Sequence, residues 1–239
     1  WHKGEKLSEQ IYIIGDVHGC FNTLLELIKQ FPYKEKSQIC FVGDVIDRGL
    51  FSCDVVELII QNSYKMVMGN HERRLLSNKD FFLKNKIPFD TSWFYNNGGE
   101  ETYRSYLAQS LNFKQRHIEF LESSPVYLEF KDHKNQNGEH LVVSHSAVGK
   151  FWTLRDDDSS RDEFRRHVLS GRGDMMQVEG IFNVYGHTPV REAKLYTNSA
   201  NIDTGCVFNE EGYDKLSALE FPSMKIYTQK NVENFNKQG

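Results

Sequence analysis

Three short runs in the first third of the chain combine carboxylate, imidazole and amide side chains with flanking glycines. They are Gly-Asp-Val-His-Gly (15–19), Gly-Asp-Val-Ile-Asp-Arg-Gly (43–49) and Gly-Asn-His-Glu (69–72). Asp16 and His18 are two residues apart, so in an extended segment both side chains project to the same side. Oxygen and nitrogen donors without a thiolate favour manganese, iron or zinc over a purely structural zinc site. The runs therefore predict a divalent metal centre.

Two histidines in the second half of the chain fit the same pattern. His145 follows the apolar run 141–143, and His187 follows the run 182–185; each run is predicted to be a strand. In an open α/β sheet the carboxyl ends of the strands form the ligand-binding edge, so all five clusters should converge there. A histidine after a strand, taken alone, is more often structural. The ordered set of five clusters is what favours a metal site.

The elements that position these clusters are short buried strands alternating with amphipathic helices. Apolar runs at 11–14, 39–42 and 65–68 each precede a glycine, which is typical of strands buried on both faces. Between them, apolar stripes at 21–28 and 55–60 predict helices. The order β-α-β-α-β predicts parallel strands with right-handed crossovers.

The rest of the chain continues as helices and strands without an internal repeat or a low-complexity linker. Helices are expected at 100–107, 113–121 and 161–169, and strands at 126–130, 140–144, 181–185, 200–203, 215–220 and 224–228. We expect a single domain over residues 7–229, with flexible termini at 1–6 and 230–239.

The composition is that of an ordinary globular protein. Of 239 residues, 39% are hydrophobic, which argues against disorder, and the formal net charge is -4. A mildly acidic chain lacks the basic footprint that phosphate backbones require, so no nucleic-acid partner is expected. No apolar run approaches the roughly 18 residues of a membrane span, so no membrane association is expected. Four cysteines without a C-x-x-C pair predict reduced thiols and a cytoplasmic location.

Together, the three early motifs resemble those of the phosphoprotein phosphatases, a family of calcineurin-like metallophosphoesterases. The likeness is greatest to the small bacterial and phage-lambda-type protein phosphatases, and it extends over residues 11–208. The Gly-His-Thr-Pro segment at 186–189 and the Ile-Asp-Thr-Gly segment at 202–205 resemble the bacterial branch. The resemblance implies an α/β fold in which two β-sheets form a sandwich flanked by helices, built on the N-terminal βαβαβ unit.

The resemblance also implies a ligand set for two divalent cations, with manganese expected and iron or zinc as alternatives. The residues that would hold them are Asp16, His18, Asp44, Asn70, His145 and His187. Asp44 would bridge the two ions. Two cations roughly 3.5–4 Å apart lower the pKa of a shared water, so that a hydroxide is available near neutral pH.

Three residues are assigned to catalysis by the same resemblance. His71 would donate a proton to the leaving group as general acid, and Asp47 would orient its ring and hold it protonated. Arg48 would bind the phosphoryl oxygens, because its fork of donors suits a phosphate. Asn70 would also contact the phosphate.

A second phosphate-binding arginine is expected between His145 and His187. The candidates in that interval are Arg155, Arg161, Arg165, Arg166 and Arg172. Spacing to the Gly-His-Thr-Pro segment favours Arg165 or Arg166, without deciding between them.

These expectations lead to a metal-dependent phosphomonoesterase for phosphoserine or phosphothreonine, with phosphotyrosine as a further option. Phosphorylated proteins or peptides would be its partners, and the enzyme would be a monomer. The alternative is a hydrolase of dinucleoside polyphosphates of the diadenosine tetraphosphate type. Against this alternative, His18 stands where symmetrical tetraphosphatases typically carry glutamine, and Glu72 stands where they typically carry aspartate.

Overall fold

The computed structural model describes residues 10–173 and 176–233, and it shows two five-stranded β-sheets packed face to face. The first sheet begins with the predicted β-α-β-α-β unit. Its elements are β1 (Ile11–Ile14), α1 (Phe21–Lys29), β2 (Gln38–Phe41), α2 (Ser52–Gln61) and β3 (Lys65–Met66). The three strands are parallel, with β2 in the middle of the unit.

Five helices of the described chain follow β3. They are α3 (Asn70–Ser77), α4 (Lys79–Leu83), α5 (Thr91–Asn96), α6 (Gly99–Ser105) and α7 (Leu111–Ser123). The sequence predicts only the last two of these. The strand expected over 65–68 ends at Met66, and α3 begins inside the third motif, so Asn70 and His71 lie in the first turn of a helix.

The second sheet has the strand order β4-β5-β6-β8-β7. Its strands and the helix between β5 and β6 are β4 (Tyr127–Lys134), β5 (His140–Ser144), α8 (Arg161–Ser170), β6 (Ile181–Tyr185), β7 (Lys194–Leu195) and β8 (Ser199–Asn201). The chain then returns to the first sheet as β9 (Lys215–Phe221) and β10 (Lys225–Lys230), and β9 runs antiparallel to β1.

The core consists of three apolar layers that follow from the alternation of side chains along each strand. Ile11 and Ile13 of β1 pack into the layer between the two sheets, together with Val143 of β5. Tyr12 and Ile14 point the other way, into the layer under the first helices. A third layer joins the second sheet to α8 through Phe164. The predicted fold class, a β-sandwich flanked by helices, is confirmed.

The segment after β10 is tied to the start of α1. The side chain of Glu233 accepts hydrogen bonds from the backbone N–H groups of Asn22 (2.6 Å) and Thr23 (3.1 Å). The first N–H groups of a helix have no partner within it, so this carboxylate satisfies two of them. The segment after β10 thus contacts the start of α1, and the flexibility predicted from residue 230 onward stays a prediction. The predicted termini at 1–6 and 234–239 lie outside the described residues.

Two further sequence features concern membranes and cysteines. Within the described ranges, no helix combines the length and the apolar character needed to cross a bilayer. The four cysteines are free thiols, and all of them are buried. They pack as small apolar side chains.

Candidate metal centre

The first two motifs interlock at the carboxyl ends of β1 and β2. The N–H of His18 donates to the carbonyl of Asp44 (2.9 Å), and the N–H of Gly49 donates to the carbonyl of His18 (3.0 Å). These bonds hold one motif loop against the other. Their polar side chains consequently face the same space at the edge of the sheet, as the strand order predicts.

The buried carboxylate of Glu72 ties the third motif to the second. It accepts hydrogen bonds from the backbone N–H groups of Asp44 (2.9 Å), Val45 (2.8 Å) and Gly69 (2.8 Å). Burial and the neighbouring Asp44 charge raise the pKa of Glu72 to about 7. The sequence shows Glu72 only as the end of a motif, because no local signal reveals that it fixes the backbone of a distant loop.

Five residues of the site have a left-handed backbone. The angle φ lies between 46° and 70° at His18, Asp44, Asp47, Arg48 and His187. This conformation costs about 1–3 kcal/mol for a residue with a Cβ atom, and it persists only where the surroundings enforce it. The interlocked motif loops provide that enforcement.

Asp44 lies at the centre of the cluster. Its Oδ2 is 3.3 Å from His145 Nε2, 3.8 Å from His18 Nε2 and 3.9 Å from His71 Nε2. The ligand-type atoms around Asp44 form two groups, and within each group the atoms lie within 4.8 Å of one another. The first group is His18, Asp44 and His71. The second group is Asp44, His145 and His187. The carboxylate shared by both groups is the one predicted to bridge two cations.

The donor atoms of the second group, Asp44, His145 and His187, are suited to binding a cation. His145 Nε2 lies 3.0 Å from Asn70 Oδ1 and 3.1 Å from His187 Nδ1. The Asp44 carboxylate lies beside them, with Oδ2 3.3 Å from His145 Nε2. Imidazole nitrogens, a carboxylate and an amide oxygen are a donor set that a divalent cation accepts. His145, His187 and Asn70 therefore fit the predicted ligand set.

The hydrogen bonds behind the rings fix which nitrogen faces the centre. His18 Nδ1 donates to the carbonyl of Ile46 (2.9 Å), and His145 Nδ1 donates to the carbonyl of Val42 (2.9 Å). A carbonyl can only accept, so each Nδ1 carries the hydrogen and each Nε2 points at Asp44. This arrangement is the usual way in which metal-binding histidines are oriented.

Asp16 lies at the same edge but belongs to neither of the two groups. Its two carboxylate oxygens each lie 3.2 Å from the backbone nitrogen of His187, which donates to them. Burial and the charge of Asp203 raise the pKa of Asp16 well above its usual value. A Cβ at Gly186 would come within 2.0 Å of Asp16 Oδ1, so only glycine permits this approach. Metal binding by Asp16 stays a prediction.

His71 and Asp47 form a buried pair. His71 Nδ1 lies 2.6 Å from Asp47 Oδ2, which also accepts from the indole N–H of Trp93 (2.6 Å). Asp47 Oδ1 accepts from the hydroxyl of Thr102 (2.6 Å). Burial lowers the pKa of His71, but the charges of Asp44 and Asp47 and the Asp47 hydrogen bond outweigh it and raise the pKa. Trp93 and Thr102 belong to none of the sequence motifs, so the sequence does not reveal that they contact Asp47.

The guanidinium of Arg48 lies between the two histidines of the first group. Its Nη1 donates to His18 Nε2 (2.7 Å), and its Nη2 is 3.2 Å from His71 Nε2. The Arg48 backbone N–H donates to the carbonyl of Gly98 (3.1 Å), and its Cζ lies 5.4 Å from the centre of the Phe208 ring. These contacts place a fixed positive charge beside His18 and His71.

Arg165 and Arg166 are not among the residues that contact Asp44 or the predicted metal ligands in the described chain. They line a cavity together with Arg73, and in the described residues neither has a hydrogen bond or ion pair with a predicted metal ligand. Another arginine acts on the centre electrostatically, because burial, the charge of His145 and the charge of Arg172 together lower the pKa of His187 to about 4. Contact of Arg165 or Arg166 with the reacting phosphate therefore stays a prediction.

Comparisons with known proteins agree with this geometry. The model of the calcineurin-like phosphoesterase family matches residues 10–191. One relative, the bis(5'-nucleosyl)-tetraphosphatase PrpE [asymmetrical] of Oceanobacillus iheyensis, is 33% identical over 91% of this chain and 90% of its own.

Two solved structures share the fold. A structure provisionally described as a diadenosine tetraphosphatase has a TM-score of 0.65 at 19% identity, over 94% of this chain and 95% of its own. A protein serine/threonine phosphatase from Saccharomyces cerevisiae has a TM-score of 0.57 at 17% identity, over 98% of this chain and 83% of its own. The sequence relative is named as a tetraphosphatase, so the matches support the broad family and not the narrower protein-phosphatase branch. The chain belongs to the calcineurin-like phosphoesterases.

Proposed function

We propose that the protein hydrolyses dinucleoside polyphosphates and splits a tetraphosphate asymmetrically, into a nucleoside triphosphate and a nucleoside monophosphate. The observation that supports phosphoester hydrolysis is the pair of ligand groups that share the Asp44 carboxylate. The substrate class is supported by the tetraphosphatase relative, which matches nine-tenths of both chains. Hydrolysis of dinucleoside polyphosphates is the alternative in the sequence-based prediction, and the relative favours it over hydrolysis of phosphoproteins.

The residues of the centre divide the work between holding cations and binding phosphate. Asp44, His145, His187 and Asn70 would hold one divalent cation, and we propose manganese. When bound, two such cations polarise the phosphate and acidify a water. Arg48 supplies a guanidinium fork at the place where a phosphoryl group meets the cluster, and it neutralises charge that develops on the phosphoryl oxygens.

One observation favours a second candidate, a phosphomonoesterase acting on phosphorylated proteins. The His71–Asp47 pair is built to keep a proton on a buried ring, 2.6 Å from its carboxylate partner. A phosphate leaving group departs readily without such a proton, whereas a serine or threonine alkoxide is a strong base and needs one. The pair would therefore contribute more to phosphoserine hydrolysis than to cleavage of a phosphoanhydride.

A substrate panel separates the two candidates. Purified protein loaded with manganese, zinc or magnesium is assayed on diadenosine tetraphosphate, on phosphoserine and phosphothreonine peptides, and on an aryl phosphate. We expect kcat/KM for the tetraphosphate to exceed that for the peptides at least tenfold, with ATP and AMP as products. A higher kcat/KM on the peptides would support the second candidate, and two molecules of ADP would contradict asymmetrical cleavage.

A further inference from the structure

A cavity of about 390 Å³ lies beside the metal centre and is unusually rich in arginine. Arg73 of α3 and the neighbours Arg165 and Arg166 of α8 line it, together with the acidic side chains of Glu122 and Asp162. The volume is that of a typical small-molecule site. The metal-centre chemistry described above does not use this cavity.

The cavity begins within one helical turn of the metal centre. Asn70, whose side-chain oxygen lies 3.0 Å from His145 Nε2, and Arg73 are three residues apart on α3. Residues at that spacing are neighbours on a helix surface, with roughly 5–6 Å between their Cβ atoms. Met68, two residues before Asn70, also lines the cavity. Arg73 and Met68 therefore link the wall of the cavity to the segment that carries Asn70.

The charge in the cavity is positive, against the sign of the whole chain. Within residues 10–173 and 176–233, Arg73, Arg165 and Arg166 have no ion pair with a carboxylate. Of the two acids, Glu122 is neutralised by Lys79, whose Nζ lies 2.5 Å away. Three guanidinium groups thus face one unpaired carboxylate, Asp162, in a protein with a net charge of -4.

We propose that this arginine cavity binds the distal phosphates of the substrate, the part that leaves as nucleoside triphosphate. The inference rests on the proposed function and deepens it. Arginine forks bind phosphate oxygens in pairs, and three of them match the several charges of a triphosphate. A distal chain anchored at Arg73, Arg165 and Arg166 places the first phosphorus at the metals, and that register makes the cleavage asymmetrical.

The test is a double variant, Arg165→Ala with Arg166→Ala, assayed on diadenosine tetraphosphate and on an aryl phosphate, which has no distal phosphates. We expect the ratio of the KM for the tetraphosphate to the KM for the aryl phosphate to rise at least tenfold, with ADP appearing among the products. The control is Arg104→Ala, since Arg104 pairs with Glu100 and does not line the cavity. It should keep the wild-type ratio. A wild-type ratio and product pattern in the double variant would overturn the proposal.

A binding measurement separates failure of this inference from failure of the proposed function. Inorganic tripolyphosphate is titrated as an inhibitor of aryl phosphate hydrolysis at constant free manganese. A tenfold weaker inhibition in the double variant supports the arginine cavity even if the wild-type protein does not cleave the tetraphosphate. If inhibition is equal in wild type and double variant, or if the variant loses activity only on acidic phosphopeptides, a distal polyphosphate is not what the arginines bind.

Discussion

The two sides of the metal centre are held in different ways. On one side, His71 is anchored by Asp47, which Trp93 and Thr102 hold in turn. On the other side, His187 meets another ligand, since its Nδ1 lies 3.1 Å from His145 Nε2, and its Nε2 has no partner in the described chain. The first side is organised by the protein alone. The second side brings imidazole nitrogens and an amide oxygen together beside the Asp44 carboxylate, and this donor set fits a divalent cation.

The pKa shifts of the histidines on the two sides are opposite, and each shift fits the way its side is held. The pKa of His71 is raised by Asp44 and Asp47 against the effect of burial, which suits a ring that delivers a proton. The pKa of His187 is lowered to about 4, chiefly by burial, so its ring is neutral near pH 7. A neutral imidazole is the form that binds a metal. Two histidines at the same edge of the fold are thus prepared for opposite tasks.

The largest effect is expected from Asp44→Asn, which affects both sides at once. The shared carboxylate would no longer offset the charge of two cations, so metal content should fall and kcat/KM should drop by about a thousandfold or more. Elemental analysis of the purified variant and steady-state kinetics measure the two effects. A variant that retains two metals per chain and near-normal turnover would refute the bridging role.

His71→Asn tests the side that the protein organises. If His71 donates a proton, the variant keeps its metal and loses about 10²- to 10⁴-fold in kcat on alkyl phosphates. The loss should be smaller on aryl phosphates and on the tetraphosphate, whose leaving groups are weaker bases. His71 also lies in a metal-type group with His18 and Asp44. Metal loss in this variant would show that the ring is a ligand and not an acid.

Arg48→Ala is expected to have an intermediate effect, because it removes the guanidinium at the junction of the two sides. A lost charged hydrogen bond of about 1.5–3 kcal/mol corresponds to roughly a ten- to hundredfold rise in KM and in the inhibition constant of free phosphate. Arg104→Ala, at an exposed arginine paired with Glu100, is the control. Unchanged phosphate inhibition would exclude Arg48 from phosphate binding.

Trp93→Phe should have the smallest effect, because it removes one N–H donor from Asp47 and keeps the aromatic packing. We expect about a three- to tenfold loss in kcat and a destabilisation of about 1–3 kcal/mol from the carboxylate left short of a donor. Chemical denaturation and kinetics are compared with Trp152→Phe, a buried tryptophan in the core layer under α8. Equal kinetics in the two variants would mean that Trp93 does not position Asp47.

The sequence predicts the motif residues of the centre, but it does not predict the residues that hold those side chains in place. Strand β1 is a continuous apolar run and β2 is apolar over residues 39–41, so their ends and the clusters that follow are visible in a single sequence. Trp93 and Thr102 contact Asp47 across 46 and 55 positions of the chain. Such contacts arise from tertiary packing of α5 and α6 and leave no local pattern.

Helix α3 shows the same limit in secondary structure. Its first residues, Asn70 and His71, follow a glycine and a strand, and their polar character hides the helix that they begin. The reason for the helix is nonlocal, since Glu72 must lie at its third position to accept hydrogen bonds from Asp44 and Val45. The placement of Arg165 and Arg166 in a cavity with Arg73 likewise depends on how α8 packs, which motif spacing does not determine.

The left-handed residues of the motifs have a consequence for how this chain tolerates change. His18, Asp44, Asp47, Arg48 and His187 all hold backbone angles that glycine adopts without cost. Substitutions chosen only for thermal stability would therefore favour glycine at these positions. Glycine would relieve the backbone strain but remove the side chain that the site uses. Backbone strain at these five positions thus accompanies the placement of functional side chains, and it lowers the free energy of unfolding.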